Sequence, residues 1–183
     1  LSCSYALSHP LPDDSVVVVN ASEINTVESE YAADLIAEDQ LVFSSLRGQY
    51  NAEMALREPA TYRSRIYQSE LDEYGLSDPI LRTMDADSKS GHIGNACIDP
   101  SGDYLYFTQL DKEGTAVIKR IELDGGTGIA ETLTRGINQV GSNNSQPFVY
   151  QEAGETFMLF SSDRPGGAGG FDLWRARISG SSD

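Results

Sequence analysis

The segment FMLFSSDRPGGAGGFDLWRARI, residues 157–178, contains two apolar runs joined by a turn rich in proline and glycine. Short aromatic and aliphatic runs bounded by such residues are typical of β-strands. Pro165 fixes its own φ, and the glycines at 166, 167, 169 and 170 can adopt positive φ. The segment therefore predicts two strands connected by a sharp turn.

Three charged residues accompany this turn. Asp163 and Asp172 flank it, where each carboxylate can accept backbone N–H bonds, and Arg164 could form a bridge to either one. A glycine-rich phosphate cradle would need a helix N-terminus after the glycines. Because a strand is expected there instead, we interpret these residues as structural.

The same pattern occurs twice earlier in the chain. Three apolar runs end on a phenylalanine followed by a small or polar residue, at Phe43, Phe107 and Phe160. A turn and another apolar run precede each one, and a loop and a third strand follow it. A fourth element follows the first two units, at residues 79–83 and 129–133. Good helix formers occur in series only over residues 49–58, so the spacing predicts an antiparallel all-β fold.

Units of four short strands repeated along a chain are the signature of β-propeller blades. We expect blade unit 1 at residues 24–83 with an insertion at 46–62, blade unit 2 at 84–136, and an incomplete blade unit 3 at 137–183. The N-terminal segment 1–23 contains the run Ser15–Asn20, which is expected to form an outer or closing strand.

The number of blades leaves three explanations open, because closed propellers have about four to eight blades. The chain is a piece of a longer protein, or two copies combine into a larger ring, or residues 1–22 and the tail form a degenerate fourth blade. We favour the first.

The stretch from Phe160 to Trp174 resembles the TolB-like (tricorn-type) β-propeller repeat, in the version found in bacterial outer-membrane-associated proteins that carry an OmpA-family domain. Residues 43–47 (FSSLR) keep part of this motif, although Arg65 stands where the third-strand aspartate would be. Ile24-Asn25-Thr26 and Ile137-Asn138-Gln139 resemble the phrase that opens such repeats. The resemblance covers about residues 24–178. It implies a non-enzymatic binding or scaffolding module in the periplasm or at the outer membrane of a Gram-negative bacterium, with other envelope proteins as partners.

Composition excludes several functional classes. Thirteen Lys and Arg against 28 Asp and Glu give a net charge of −15, without a basic cluster, which argues against nucleic acid and anionic membrane as partners. No run of 18 apolar residues is present, so no transmembrane helix is expected. Only two histidines, His9 and His92, are available, and neither lies in a nucleophile motif. We therefore expect no catalytic residues, cofactor or metal.

In a propeller, the residues that lead into each innermost strand line the mouth of the central channel. Six polar residues hold these positions and could bind a peptide or a glycan: Glu28, Ser29, His92, Asn95, Asn143 and Asn144. The simpler interpretation, which we favour, is that they only solvate the channel.

Two cysteines leave further alternatives open. Cys3 could be lipidated, free or disulfide-bonded to Cys97. The blades could also be the non-catalytic propeller portion of a hydrolase, either a peptidase or a glycosidase. A third alternative is a surface sugar-binding lipoprotein, which a lipidated Cys3 would favour.

Overall fold

The computed structural model describes residues 17–37, 39–47, 63–82, 91–111, 113–123 and 128–178. These residues contain no helix, and their strands form three antiparallel sheets, none of which closes on itself. The all-β prediction is therefore confirmed for this part of the chain. The run of helix formers at 49–58 lies outside the described residues, as does all of the insertion beyond Arg47 and before residue 63.

The three sheets follow one another along the chain. The first sheet contains β1 (Glu30–Ala37), β2 (Gln40–Ser45), β3 (Arg65–Asp72), β4 (Gly75–Leu76) and β5 (Ile80–Leu81). The second contains β6 (Ile93–Ile98), β7 (Tyr104–Leu110), β8 (Ala116–Glu122) and β9 (Glu131–Thr132). The third contains β10 (Asn144–Glu152), β11 (Glu155–Ser162) and β12 (Asp172–Arg177). Each is a meander in which consecutive strands pair, except that β4 and β5 both pair with β3.

The three repeated phenylalanines occupy the same position in their sheets. Phe43, Phe107 and Phe160 lie on the second strand of each sheet, and all three side chains are fully buried. They pair across to residues of the third strand, namely Tyr67, Lys119 and Trp174. The three units therefore share the pairing register between their second and third strands as well as a similar sequence.

Each first strand carries a β-bulge at the same place. The register shifts just after Tyr31 in β1, after Gly94 in β6 and after Ser145 in β10. The following residue has a left-handed backbone in every case: Ala32, Asn95 and Gln146, with φ of 52°, 53° and 54°. A bulge places an extra residue in one strand and changes which side chains face the neighbouring sheet.

The sheets pack face to face in chain order. Val42 and Ile66 of the first sheet meet Ile93, Leu105 and Phe107 of the second in one buried apolar cluster. The opposite face of the second sheet, with Cys97, Tyr106 and Ile118, packs against Met158 and Phe160 of the third. Successive side chains of a strand point to opposite faces, so the middle sheet contributes to both clusters.

A third cluster covers the outer face of the first sheet, where Ile24, Phe43 and Tyr67 pack together. Residues 17–20 before it lie in none of the three sheets, and the outer or closing strand expected over Ser15–Asn20 stays a prediction. Val17, Val18 and Val19 are exposed and unpaired, whereas residues 15 and 16 lie outside the described part of the chain. The fourth elements of the first two units are confirmed in shortened form as β5 and β9.

Candidate binding surfaces

The predicted channel-mouth residues lie at or near the starts of the first strands, and those before β1 make local contacts. The Glu28 N–H donates to Thr26 Oγ1 at 3.1 Å. The Ser29 carbonyl accepts a bond from the Leu46 N–H at 3.0 Å, which closes the end of the β1–β2 pair.

The two predicted residues of β6 and its approach connect neighbouring segments. His92 Nδ1 accepts a hydrogen bond from the Ser64 N–H at 3.2 Å, and its carbonyl accepts one from the Leu110 N–H at 2.9 Å. The Asn95 N–H donates to Ser44 Oγ of the first sheet at 2.9 Å. This last bond links the bulge of β6 to the preceding sheet.

The two asparagines before and in β10 hold the third sheet together. Asn143 binds both carboxylate oxygens of Asp163, through its N–H at 2.6 Å and its Nδ2 at 2.8 Å. Its Oδ1 accepts the Ala116 N–H at 3.0 Å. Asn144 is fully buried, and its Oδ1 accepts a bond from Ser162 Oγ at 2.8 Å. A buried side chain committed in this way does not present itself to a ligand.

Arg164 joins four elements of the third unit. Its Nε donates to Ser162 Oγ at 3.0 Å, and its Nη2 donates to Asn144 Oδ1 at 2.7 Å and to the Ile137 carbonyl. The guanidinium also lies over the Phe160 and Trp174 rings, at 4.7 and 5.3 Å from their centroids. The expected bridge from Arg164 to Asp163 or Asp172 is wrong, because the acceptors that surround its planar fork are Ser162 at the end of β11, Asn144 at the start of β10 and the Ile137 carbonyl in the loop before it.

Arg47 repeats this arrangement in the first sheet. It donates through Nε to Ser45 Oγ at 3.0 Å and through Nη2 to the Ile24 carbonyl, and it lies 4.7 Å from the centroid of Tyr67. Glu30 takes the place of Asn144, with Oε1 3.4 Å from Arg47 Nη2. We call Arg47 and Arg164, with these partners, the arginine clamps.

The middle sheet has no clamp at these positions, because each of its three matching residues is of a different type from the one in the third sheet. Ile93, Gln109 and Asp111 stand where the third sheet has Asn144, Ser162 and Arg164. The sequence signal for the clamp was the arginine four residues after the repeated phenylalanine, present in FSSLR and FSSDR.

The glycine-rich turn is built around Asp172. Its Oδ2 accepts the N–H groups of Ala168 and Gly169 at 2.9 and 3.1 Å. Of the four glycines expected to permit positive φ, only Gly166 uses it, with φ of 102°. Gly167 is needed for space, because a Cβ there would lie 1.9 Å from Asp172 Oδ2.

Two carboxylates have lowered pKa values: Glu30 at the start of β1 and Asp163 directly after the end of β11. Hydrogen bonds from the side chain and backbone of Asn143 lower the pKa of Asp163. Partial burial of Glu30 opposes its ionisation, but bonds from Thr26 and Ser45 together with the charge of Arg47 bring its pKa below the ordinary value. Both carboxylates are thus anchored to the repeat itself.

Cys97 lies in the apolar cluster between the second and third sheets as a free, buried thiol. Burial raises its pKa to about 12. Cys3 lies outside the described residues, so its state as a lipidated, free or disulfide-bonded cysteine stays a prediction.

A groove of about 380 Å³ crosses the first strands of all three sheets. Its lining comes from β1, from β6 and the turn after it, and from β10: residues 34–36, 98–102 and 148–149. Asp34 Oδ2 accepts the Ile98 N–H at 3.1 Å, and Asp99 Oδ1 accepts the Tyr104 N–H at 2.8 Å. These bonds fix two carboxylates along the groove, at a place that sequence reasoning missed because it lies at the far ends of the strands.

No family model and no curated protein matches this chain. Within the described ranges, no helix is long and apolar enough to cross a membrane. The same residues contain no group of three or more His, Cys, Asp or Glu side chains placed to hold a metal ion.

Proposed function

We propose that this chain is a non-enzymatic binding or scaffolding module of the β-propeller type, which holds a segment of a partner protein in the bacterial cell envelope. The observation that carries the proposal is the groove, because one strand from each of the three stacked sheets contributes to it. A site shared by three rigid sheets offers a preformed surface, which lowers the entropy cost of binding an extended peptide.

The chemistry of the groove favours a basic peptide with small apolar residues. Asp34 and Asp99 supply negative charge, while the exposed side chains of Leu35, Pro100 and Phe148 supply apolar lining. The net charge of −15 would further steer a cationic segment towards the molecule. Placement in the envelope is supported by the resemblance of the Phe160–Trp174 segment to the TolB-like repeat.

The test is isothermal titration calorimetry on the full chain with three probes. These are a lysine- and alanine-rich peptide, a glutamate- and alanine-rich peptide of equal length, and a soluble N-acetylglucosamine oligomer. We expect saturable binding of the lysine peptide that weakens with added salt, and no binding of the other two.

A pair of matched variants locates the site. Ser101→Arg places a long cationic side chain at the groove, whereas Ser22→Arg makes the same change at an exposed position that does not line it. The first should weaken peptide binding by roughly tenfold or more, since it both fills the groove and repels the probe. Equal binding by both variants, or binding of the glycan oligomer alone, would contradict the proposal.

A further inference from the structure

The groove is lined by strand edges whose backbone donors are already bonded. Leu35, Ile98 and Val149 line it, and they share one register position on the three first strands, each opposite an apolar residue of the second strand. Within the described residues, no other strand pairs with the second edge of β1, β6 or β10. An extended peptide can add itself to such an edge, provided that the N–H groups of the edge are free.

Side chains occupy all three donors at this register position. The Leu35 N–H donates to Asp34 Oδ1 at 2.9 Å, and the Ile98 N–H donates to Asp34 Oδ2 at 3.1 Å. The Val149 backbone is hydrogen-bonded to the Cys97 thiol. An added strand would have to displace these acceptors, so it would exchange hydrogen bonds that already exist instead of gaining new ones.

The bulges occupy a second set of edge donors. The Asn95 N–H donates to Ser44 Oγ, and the Gln146 N–H donates to Thr108 Oγ1, both at 2.9 Å. In each pair the donor is the left-handed bulge residue, and the acceptor is the hydroxyl that follows the repeated phenylalanine of the preceding sheet. In β6 and in β10, two edge donors are therefore bonded to side chains of the preceding sheet, which protects both edges against a further strand.

The carboxylates of the groove keep capacity for a ligand. Asp34 accepts two N–H groups, and Asp99 accepts the Tyr104 N–H at 2.8 Å and a bond from Ser101 Oγ. An ionised carboxylate has about four acceptor sites, so each group retains about two. The existing bonds orient both groups before a ligand arrives, and both residues are only half-buried. The groove therefore offers acceptors to a cation, whereas the edge donors that a peptide backbone would need are taken.

We propose that the groove binds its ligand through cationic side chains alone, and that the ligand backbone does not pair with the first strands. Asp34 and Asp99 are the specificity-determining residues, since a lysine ammonium carries three donors and forms charge-assisted bonds with a carboxylate. The proposal rests on the peptide-binding function proposed above and states how that site selects its ligand. The selection is by the charge of the side chains and not by an extended backbone conformation.

The test compares the lysine- and alanine-rich peptide with two analogues, by isothermal titration calorimetry on the full chain. One analogue is N-methylated at every alanine, which removes those amide donors and obstructs strand pairing. The other is the D-enantiomer of the peptide, and both analogues keep the lysine side chains. We expect both to bind within roughly threefold of the L-peptide, and to weaken similarly with added salt.

Matched variants test the two carboxylates. Asp34→Asn and Asp99→Asn each remove one charge, while the amide oxygen that remains can still accept a backbone N–H. Each should weaken the binding of all three peptides by roughly tenfold and reduce its dependence on salt, since one ion pair is lost. Asp78→Asn makes the same change at an exposed position that does not line the groove, so it should leave binding unchanged. Urea unfolding checks that each variant is folded, and Asp99→Asn alone decides the test if Asp34→Asn is not.

Different results separate this proposal from the peptide-binding function. If the L-peptide binds but both analogues bind more than roughly tenfold more weakly, the backbone takes part, and this proposal is wrong while the binding function stands. If Asp78→Asn weakens binding as much as the two groove variants do, net charge attracts the peptide and the two carboxylates do not select it. If the L-peptide itself does not bind, the binding function and this proposal are both contradicted.

Discussion

Replacing Arg164 tests whether the arginine clamp stabilises the repeat. Arg164→Ala removes donors to Ser162 and Asn144 and to the carbonyls of Gly136 and Ile137, as well as the contact with two aromatic rings. A hydrogen bond from a charged group is worth about 1.5–3 kcal/mol, and a cation–π contact about 0.5–2 kcal/mol. These contributions are not additive, and single substitutions seldom exceed about 4–5 kcal/mol.

We therefore expect Arg164→Ala to lower the free energy of unfolding by about 3–4 kcal/mol. Arg164→Lys keeps the charge over the rings but loses the planar fork, so it should cost about 2 kcal/mol. In urea, an m-value of about 2 kcal/mol/M for a chain of this size converts the alanine result into a midpoint lowered by about 1.5–2 M.

The control is Arg177→Ala, which removes an exposed ion pair with Glu155. Exposed pairs contribute about 0–1 kcal/mol, so its midpoint should move little. The measurement is urea unfolding followed by Trp174 fluorescence and by circular dichroism, with both probes in agreement. If Arg164→Ala and Arg177→Ala shift the midpoint equally, the clamp does not hold the repeat together.

Three further outcomes are expected. The folded-state pKa of Glu30 is depressed, so its stabilisation is complete above the ordinary value of 4.5 and is lost as pH falls through the folded value. Glu30→Gln should therefore cost stability in urea unfolding at neutral pH, and this cost should shrink as the pH is lowered below 4.5; a cost that stays constant into acid would refute this. In a Cys3→Ser chain, the Cys97 thiol, whose pKa is about 12, should not react with a disulfide reagent at about pH 8 until urea is added, and full labelling of the folded chain would contradict its burial. Gly167→Ala should lower the urea midpoint because its Cβ would collide with Asp172, whereas Gly169→Ala meets open space and should cost less; equal costs would show that the turn relaxes freely.

Much of the fold follows from local features of the sequence. Strands of alternating or continuous apolar character, each ending at a turn of Gly, Pro, Asp or Ser, predicted the three meanders and the shared position of Phe43, Phe107 and Phe160. These signals lie within about ten residues, so no knowledge of distant contacts is needed. The short fourth strands were also predicted from the sequence, although only two residues of each are paired in the sheet, Ile80–Leu81 and Glu131–Thr132.

Contacts between distant segments were harder to predict. Arg164 has two aspartates nearby in sequence, but it binds Asn144 and the Ile137 carbonyl, which precede it by 20 and 27 residues. The bulges add a second difficulty, because an extra residue shifts the alternation of inward and outward side chains. This shift cannot be read from composition. The burial of the Asn144 side chain depends in addition on its contacts with Ser162 and Arg164, which lie 18 and 20 residues further along the chain. The ligand, the partner proteins and the number of blades stay predictions.

The bond between a bulge N–H and the hydroxyl of the preceding sheet has a consequence for how such a chain could grow or shorten. Ser44 accepts this bond from the Asn95 N–H and Thr108 accepts it from the Gln146 N–H, so both pairs of neighbouring sheets are joined in the same way. Loss of the whole middle unit would bring the Gln146 N–H opposite Ser44. Its acceptor would then be a serine hydroxyl in place of the threonine hydroxyl of Thr108. Gain or loss of an entire unit should therefore preserve the bond between neighbouring sheets, whereas insertion or deletion of one residue in a first strand should move the bulge N–H away from its acceptor.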